Sequence, residues 1–203
     1  GWRTDRMKST WNPSRNGSLE NGENRERRHI RIDANSGLTR GEASFVEVNV
    51  APVVVDSAES LKKYVGEEIG VSEWLIVTQE RITQFAEATE DRQWIHIDRA
   101  RAEKESSFGT TIAHGFLTLS LISRFLKDVM QVRTGVGMAI NYGLNRVRFP
   151  APVRSGSRIR ARVSLVSLKE VSGAHEAAFS VTVETEGGGK PCCVAESIVR
   201  YYR

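Results

Sequence analysis

Residues 56–203 predict an α+β fold in which one long apolar helix is wrapped by a strongly curved antiparallel sheet. Three observations point to it. Residues 114–129 carry Leu117, Leu121, Ile122, Phe125, Leu126 and Val129 at helical spacing, with Leu119 widening the stripe. Four long runs with strand character follow, at 137–149, 157–169, 174–186 and 192–202. The breaks between them are Pro150-Ala151-Pro152, Ser172-Gly173 and residues 187–191, all turn chemistry. A helix this apolar belongs against a sheet, and an antiparallel meander of those four strands supplies one.

The elements before the long helix follow from caps and breakers. Residues 1–55 read as a disordered or loosely ordered extension and linker. Up to about Arg40 they are rich in Asn, Ser, Gly, Arg and Glu, too polar to offset the entropy of ordering. The run 45–55 alternates briefly around Pro52, as a loose strand or a linker. Ser57 is placed to cap a short helix ending at Tyr64, and residues 65–68 turn the chain. Residues 71–77 read as a strand. Thr78 is a good N-cap for a helix over 79–88, whose Ile82, Phe85 and Ala86 share a face. An irregular stretch, 89–111, leads to the long helix, and Asp98 suits the N-cap of a short helix over 99–105.

Composition narrows the classes of function. With 203 residues, 39% hydrophobic and 27% charged, the chain has room for one ordinary soluble domain plus a tail. Its longest apolar stretch, 116–130, is interrupted by Ser123, Arg124, Lys127 and Asp128, so no membrane span is expected. No N-terminal segment has the order of a signal peptide, and a cytoplasmic location is the expectation. The first residue is Gly1, which suggests a fragment or an unusual start. The net charge of +4 lies wholly in residues 1–40, which hold nine basic and five acidic side chains. The other 163 residues carry 20 of each, so a nucleic-acid partner is not expected of the domain. The only cysteines, Cys192 and Cys193, are adjacent. Strand neighbours point to opposite faces, so they read as two reduced thiols rather than a disulfide or metal pair.

Chemistry concentrates in two places. Asp91 and His96 are five residues apart beyond a helix end, and a bend at Gln93-Trp94 would bring them together. Imidazole titrates near neutrality and a carboxylate can hold its tautomer or share its proton, so the two would make an acid–base couple. By spacing alone the signal is weak, since a helix C-terminal hydrogen bond explains the pair equally well. The second place is Phe108-Gly109 and Ala113-His114-Gly115, leading into the apolar helix. Unpaired N–H groups at a helix start suit a carbonyl oxygen gaining negative charge. Gly115 would let a ligand approach the backbone, or would merely ease a tight turn with His114 as cap.

Taken in order, Asp91-x4-His96-x-Asp98, Phe108-Gly109, Ala113-His114-Gly115 and residues 148–156 (RFPAPVRSG) resemble the MaoC-like dehydratase group of hotdog proteins. That group includes the (R)-specific enoyl-CoA hydratases. The resemblance covers about residues 65–203. The Gln93-Trp94-Ile95 version of the motif, with Asn141 and Asn145 later, is most similar to the actinobacterial and NodN-like branch. The resemblance implies a hotdog fold and reversible hydration of a trans-2-enoyl thioester, on coenzyme A or an acyl-carrier protein, without metal or other cofactor. It implies Asp91 and His96 as the catalytic pair and Gly115 as the oxyanion donor. His114, Ser123 and Asn141 would line the substrate site. Ser123 reads equally as a hydroxyl bonded to its own helix backbone. Trp94 is expected to pack into the core or a dimer contact. The family pairs as homodimers, which an exposed sheet edge also favours. Most members have Asn-Pro where this chain has Gln93-Trp94, which leaves the acyl preference open. The alternatives are a hotdog thioesterase and a non-catalytic acyl-thioester-binding module.

Overall fold

The structure, a computed structural model, describes residues 51–203. The expected extension up to residue 50, with its excess of basic side chains, lies outside the described residues. The described part begins with β1 (Val53–Val55), which pairs in parallel with β4 (Met130–Val132). The late part of the expected linker is thus tied to the domain. A 3-10 turn (Glu59–Tyr64) follows, and Ser57 Oγ accepts from the Ser60 N–H at 3.3 Å.

The main sheet runs β2-β6-β7-β8-β5, with β2 (Glu68–Val71), β6 (Arg158–Val171), β7 (Ala174–Thr185), β8 (Cys193–Tyr202) and β5 (Met138–Arg148). The short β3 (Leu75–Ile76) also pairs with β6. Alternation drives the inner face. Ile159, Ala161, Val163 and Leu165 of β6 and Phe179, Val181 and Val183 of β7 are buried. They pack on Leu117, Leu121, Ile122, Phe125, Leu126 and Val129 from the apolar stripe. The sheet's outer face pairs arginines with glutamates across strands, as at Arg160–Glu184 and Arg200–Glu176. One apolar helical rod against one antiparallel sheet is the hotdog arrangement that the resemblance implies.

Three expectations need correction. The long helix is two, α4 (Gly115–Ser120) and α5 (Ile122–Val129), joined at Leu121. Ser120 Oγ donates to the Leu117 carbonyl at 2.8 Å, a back-bond that competes with the helix ladder. The expected strand over 71–77 is split into β2 and β3. Between them the Ser72 N–H donates to the Ala161 carbonyl at 2.8 Å, while Ser72 Oγ, in place of a backbone carbonyl, accepts from the Ala161 N–H at 2.9 Å. The meander holds for β6, β7 and β8, but β5 pairs with β8 instead of its chain neighbour β6. The segment after β5 is no hairpin turn: it runs past the helix start, where the Val153 carbonyl accepts from the Ala113 N–H at 2.7 Å. By contrast, Ser172-Gly173 closes β6 onto β7 directly, and Gly173 has φ 73°, which favours glycine.

Among the described residues no helix is long and apolar enough to cross a membrane.

Candidate active site

The site is assembled where α1 (Gln79–Thr89) ends. Thr78 caps α1, its Oγ1 accepting from the Arg81 N–H at 3.3 Å. At the other end Glu90 adopts φ 60°, a left-handed stop that turns the chain sharply into Asp91. Two short helices follow, α2 (Trp94–Ile97) and α3 (Arg99–Glu105), the second capped by Asp98 Oδ1 from the Arg101 N–H at 3.0 Å. Trp94 is half-buried beneath the Arg101 guanidinium, 4.4 Å from the ring centroid.

This bend places Asp91, His96 and His114 together, with one ligating atom of each within 4.8 Å of the others. The Asp91 side chain is 57% exposed, whereas His96 and His114 are buried. His96 Nδ1–H donates to the Ile112 carbonyl at 2.7 Å. That bond fixes the tautomer and leaves Nε2 with its lone pair. Burial pushes the His96 pKa below the ordinary imidazole value; the bond to Ile112 opposes this, nearby His114 adds to it and Asp91 works against it. The His114 ring stacks on His96 at 3.7 Å between centroids and 26° between planes.

A buried clasp fixes His96 from behind. Gln79 Nε2 donates to the His96 carbonyl at 2.7 Å, and Thr111 Oγ1 donates to Gln79 Oε1 at 2.5 Å. Neither Gln79 nor Thr111 was singled out from sequence. Gln79 follows a cap and reads as an ordinary first-turn residue; only its burial reveals its use.

Gly115 opens α4, so its N–H has no partner within the helix. Its φ is not positive, so a tight turn does not explain the glycine. The space of its missing side chain is filled by Phe149, whose Cδ2 would lie 2.9 Å from an added Cβ. Ser123 and Asn141 form a second group. Asn141 Nδ2 donates to Ser123 Oγ at 2.8 Å, on the line between α5 and β5. Both residues border two adjoining clefts, of about 570 Å³ and about 240 Å³. The larger is walled by apolar side chains such as Leu126, Met130, Val132 and Val199. Neither cleft is lined by Asp91, His96 or Gly115.

Comparison with known proteins shows the family. Residues 60–187 match the model of the MaoC like domain. The 3-hydroxyacyl-thioester dehydratase Z of Mycobacterium tuberculosis is 54% identical over 147 residues, which cover 72% of this chain and 96% of that protein. Nodulation protein N of Rhizobium meliloti is 43% identical over 143 residues, 70% of this chain and 89% of that one. Among solved structures, an R-hydratase from Pseudomonas aeruginosa superposes with TM-score 0.59 at 22% identity, covering 72% of this chain and 86% of that one. The (R)-hydratase from A. caviae involved in PHA biosynthesis does so with TM-score 0.53 at 28% identity, over 64% and 93%. A family model that spans residues 60–187, and relatives matched along nearly their whole length, place this chain in the MaoC-like dehydratase family of hotdog proteins.

Proposed function

We propose that the domain interconverts trans-2-enoyl and (R)-3-hydroxyacyl thioesters, with Asp91 and His96 as the acid–base pair. The observation that carries this reading is a buried His96 whose Nδ1–H is committed to Ile112, leaving Nε2 with its lone pair in a cluster where Asp91, His96 and His114 each bring one ligating atom within 4.8 Å of the others. The names of the mycobacterial dehydratase and the A. caviae hydratase support the substrate class. In hydration, the thioester carbonyl lies against the Gly115 N–H, which draws electrons from C3. Water held by the pair attacks C3 and gives one proton to it. The C2=C3 electrons move toward the carbonyl oxygen, and the pair returns a proton to C2. Atoms balance without a metal or redox group. The acyl chain runs toward the apolar cleft, passing the Ser123–Asn141 bond, and the carrier is coenzyme A or an acyl-carrier protein.

The working form is a homodimer joined along β5. Among the described residues this strand is paired only on its β8 side, and Met138, Ile140, Tyr142 and Leu144 along it are exposed. Phe116, next to Gly115 in the chain, is a further exposed apolar side chain, at 69%.

Hydration of crotonyl-CoA by the purified protein tests the chemistry. Asp91→Asn and His96→Ala should each lower kcat about 10²–10⁴-fold, the usual worth of a positioned acid or base. Wild-type rates in both variants would end the acid–base reading. Release of free thiol without hydration would favour a thioesterase.

A further inference from the structure

His114 is buried to 3% exposure, so it has almost no surface with which to touch a substrate. Its contacts nevertheless reach both members of the proposed pair. Nε2–H donates to the backbone carbonyl of Asp91 at 2.9 Å. The ring lies between Phe85 of α1, at 5.1 Å and 52°, and His96, at 3.7 Å and 26°. The partner of Nε2 is a carbonyl, which can only accept, so the proton sits on Nε2. The other nitrogen, Nδ1, is buried and makes no hydrogen bond in the structure. An unpaired buried acceptor costs about 1–3 kcal/mol. A phenylalanine would stack in the same place without that cost, but would leave the Asp91 carbonyl unbonded. A glutamine would bond the carbonyl but would not stack. Only a ring with a donor at its far edge does both.

We propose that His114 is the positioning residue of the acid–base pair. Its N–H anchors the backbone at Asp91 while its ring sets the plane of His96, so one side chain fixes the separation of the two groups. The anchor matters because Asp91 follows Glu90, whose left-handed conformation alone would leave the carboxyl free to swing. The platform matters because the Ile112 bond fixes the position of Nδ1 but not rotation about that bond. The inference rests on the acid–base reading above and adds to it a residue that acts through both partners without meeting substrate.

Three variants separate the two contacts. His114→Phe keeps the platform and loses the anchor, His114→Gln keeps a donor and loses the platform, and His114→Ala loses both. Small misplacements of reacting groups cost on the order of 10²-fold. His114→Ala should therefore lose about that in kcat, with KM changed less than threefold, while Phe and Gln each recover part of the loss. If alanine does not fold, the phenylalanine and glutamine variants carry the test, each checked by thermal melting. A kcat within threefold of wild type in both would overturn the inference. A loss confined to KM would also overturn it, since that marks contact with substrate. Asp91→Asn and His96→Ala run alongside. If those two are inactive and the His114 variants are not, this inference alone fails; if those two stay active, the acid–base reading fails. A readout without substrate stands beside the kinetics. Amide hydrogen exchange over residues 90–96 should quicken in His114→Phe and remain near wild type in His114→Gln. Unchanged exchange in His114→Phe would refute the anchor whatever the activity.

Discussion

At His96, the folded ring titrates below its unfolded value of 6.5 chiefly because burial penalises the cation. Two consequences have opposite practical meaning. For catalysis, Nε2 stays basic below pH 6.5, so the acid limb of kcat/KM should fall on the acid side of that value. For stability, the unfolded chain takes up the proton first as pH falls, so this group withdraws stability from about pH 6.5 down to its lowered folded pKa. Urea midpoints at pH 7 and pH 5 should therefore differ less in His96→Gln than in wild type. An equal difference would show that the buried ring is not a source of acid sensitivity. A second check at this scale concerns the thiols. Burial, with Cys192 beside it, pushes Cys193 up to about 12, and a thiol-directed reagent should modify it only on unfolding. The sequence made Asp91 and His96 candidates through the family motif they belong to, since their spacing alone is a weak signal. It could not show that His96 is buried, because the groups that surround it lie far along the chain: His114, Ile112, Gln79 and, through Gln79, Thr111.

Elements were legible wherever a local rule decided them. Thr78 and Asp98 cap their helices, and Ser172-Gly173 closes its hairpin, because each depends on residues a few positions apart. Where elements meet, local rules fail. The strand expected over 71–77 breaks because Ser72 bonds to Ala161 across the sheet, and the apolar helix is interrupted although its stripe is continuous. The clasp of Gln79, Thr111 and His96 is of this kind, tying the start of α1 to α2 and to the segment before α4. Gln79→Leu keeps the bulk but strips a partner from the His96 carbonyl and from the Thr111 hydroxyl. With an unpaired buried group costing about 1–3 kcal/mol, a loss of about 3 kcal/mol by chemical denaturation is the expected result. A variant as stable as wild type would mean that water replaces the amide without penalty. Gly115→Ala acts at the same junction by pressing on Phe149, and should cost about 1 kcal/mol, the low end for overpacking, because Phe149 is partly exposed and can turn aside.

For the molecule as a whole, the α+β class was readable from four strands after an apolar helix, but the strand at the open edge was not. A meander would have put β5 beside β6. The long passage through Pro150 and Pro152 instead carries the chain across the helix start, and β5 lands on β8 at the far side. That placement leaves eleven residues of edge strand with Met138, Ile140, Tyr142 and Leu144 exposed. Unpaired backbone groups beside apolar side chains invite another strand, and a closed two-fold pairing of two copies satisfies both β5 edges at once. Ile140, 40% exposed in the middle of the strand, is the place to test it. Ile140→Lys would set two ammonium groups close together across a two-fold axis, each removed from water, while burdening the single chain little. Sedimentation should show wild type at twice the chain mass and the lysine variant at the chain mass, with circular dichroism unchanged. Hydratase activity should fall with the dimer, because Asn141, which borders the apolar cleft, lies on the same strand. A lysine variant that remains dimeric would move the interface off β5, and a wild-type monomer with full activity would show that one chain holds a complete site.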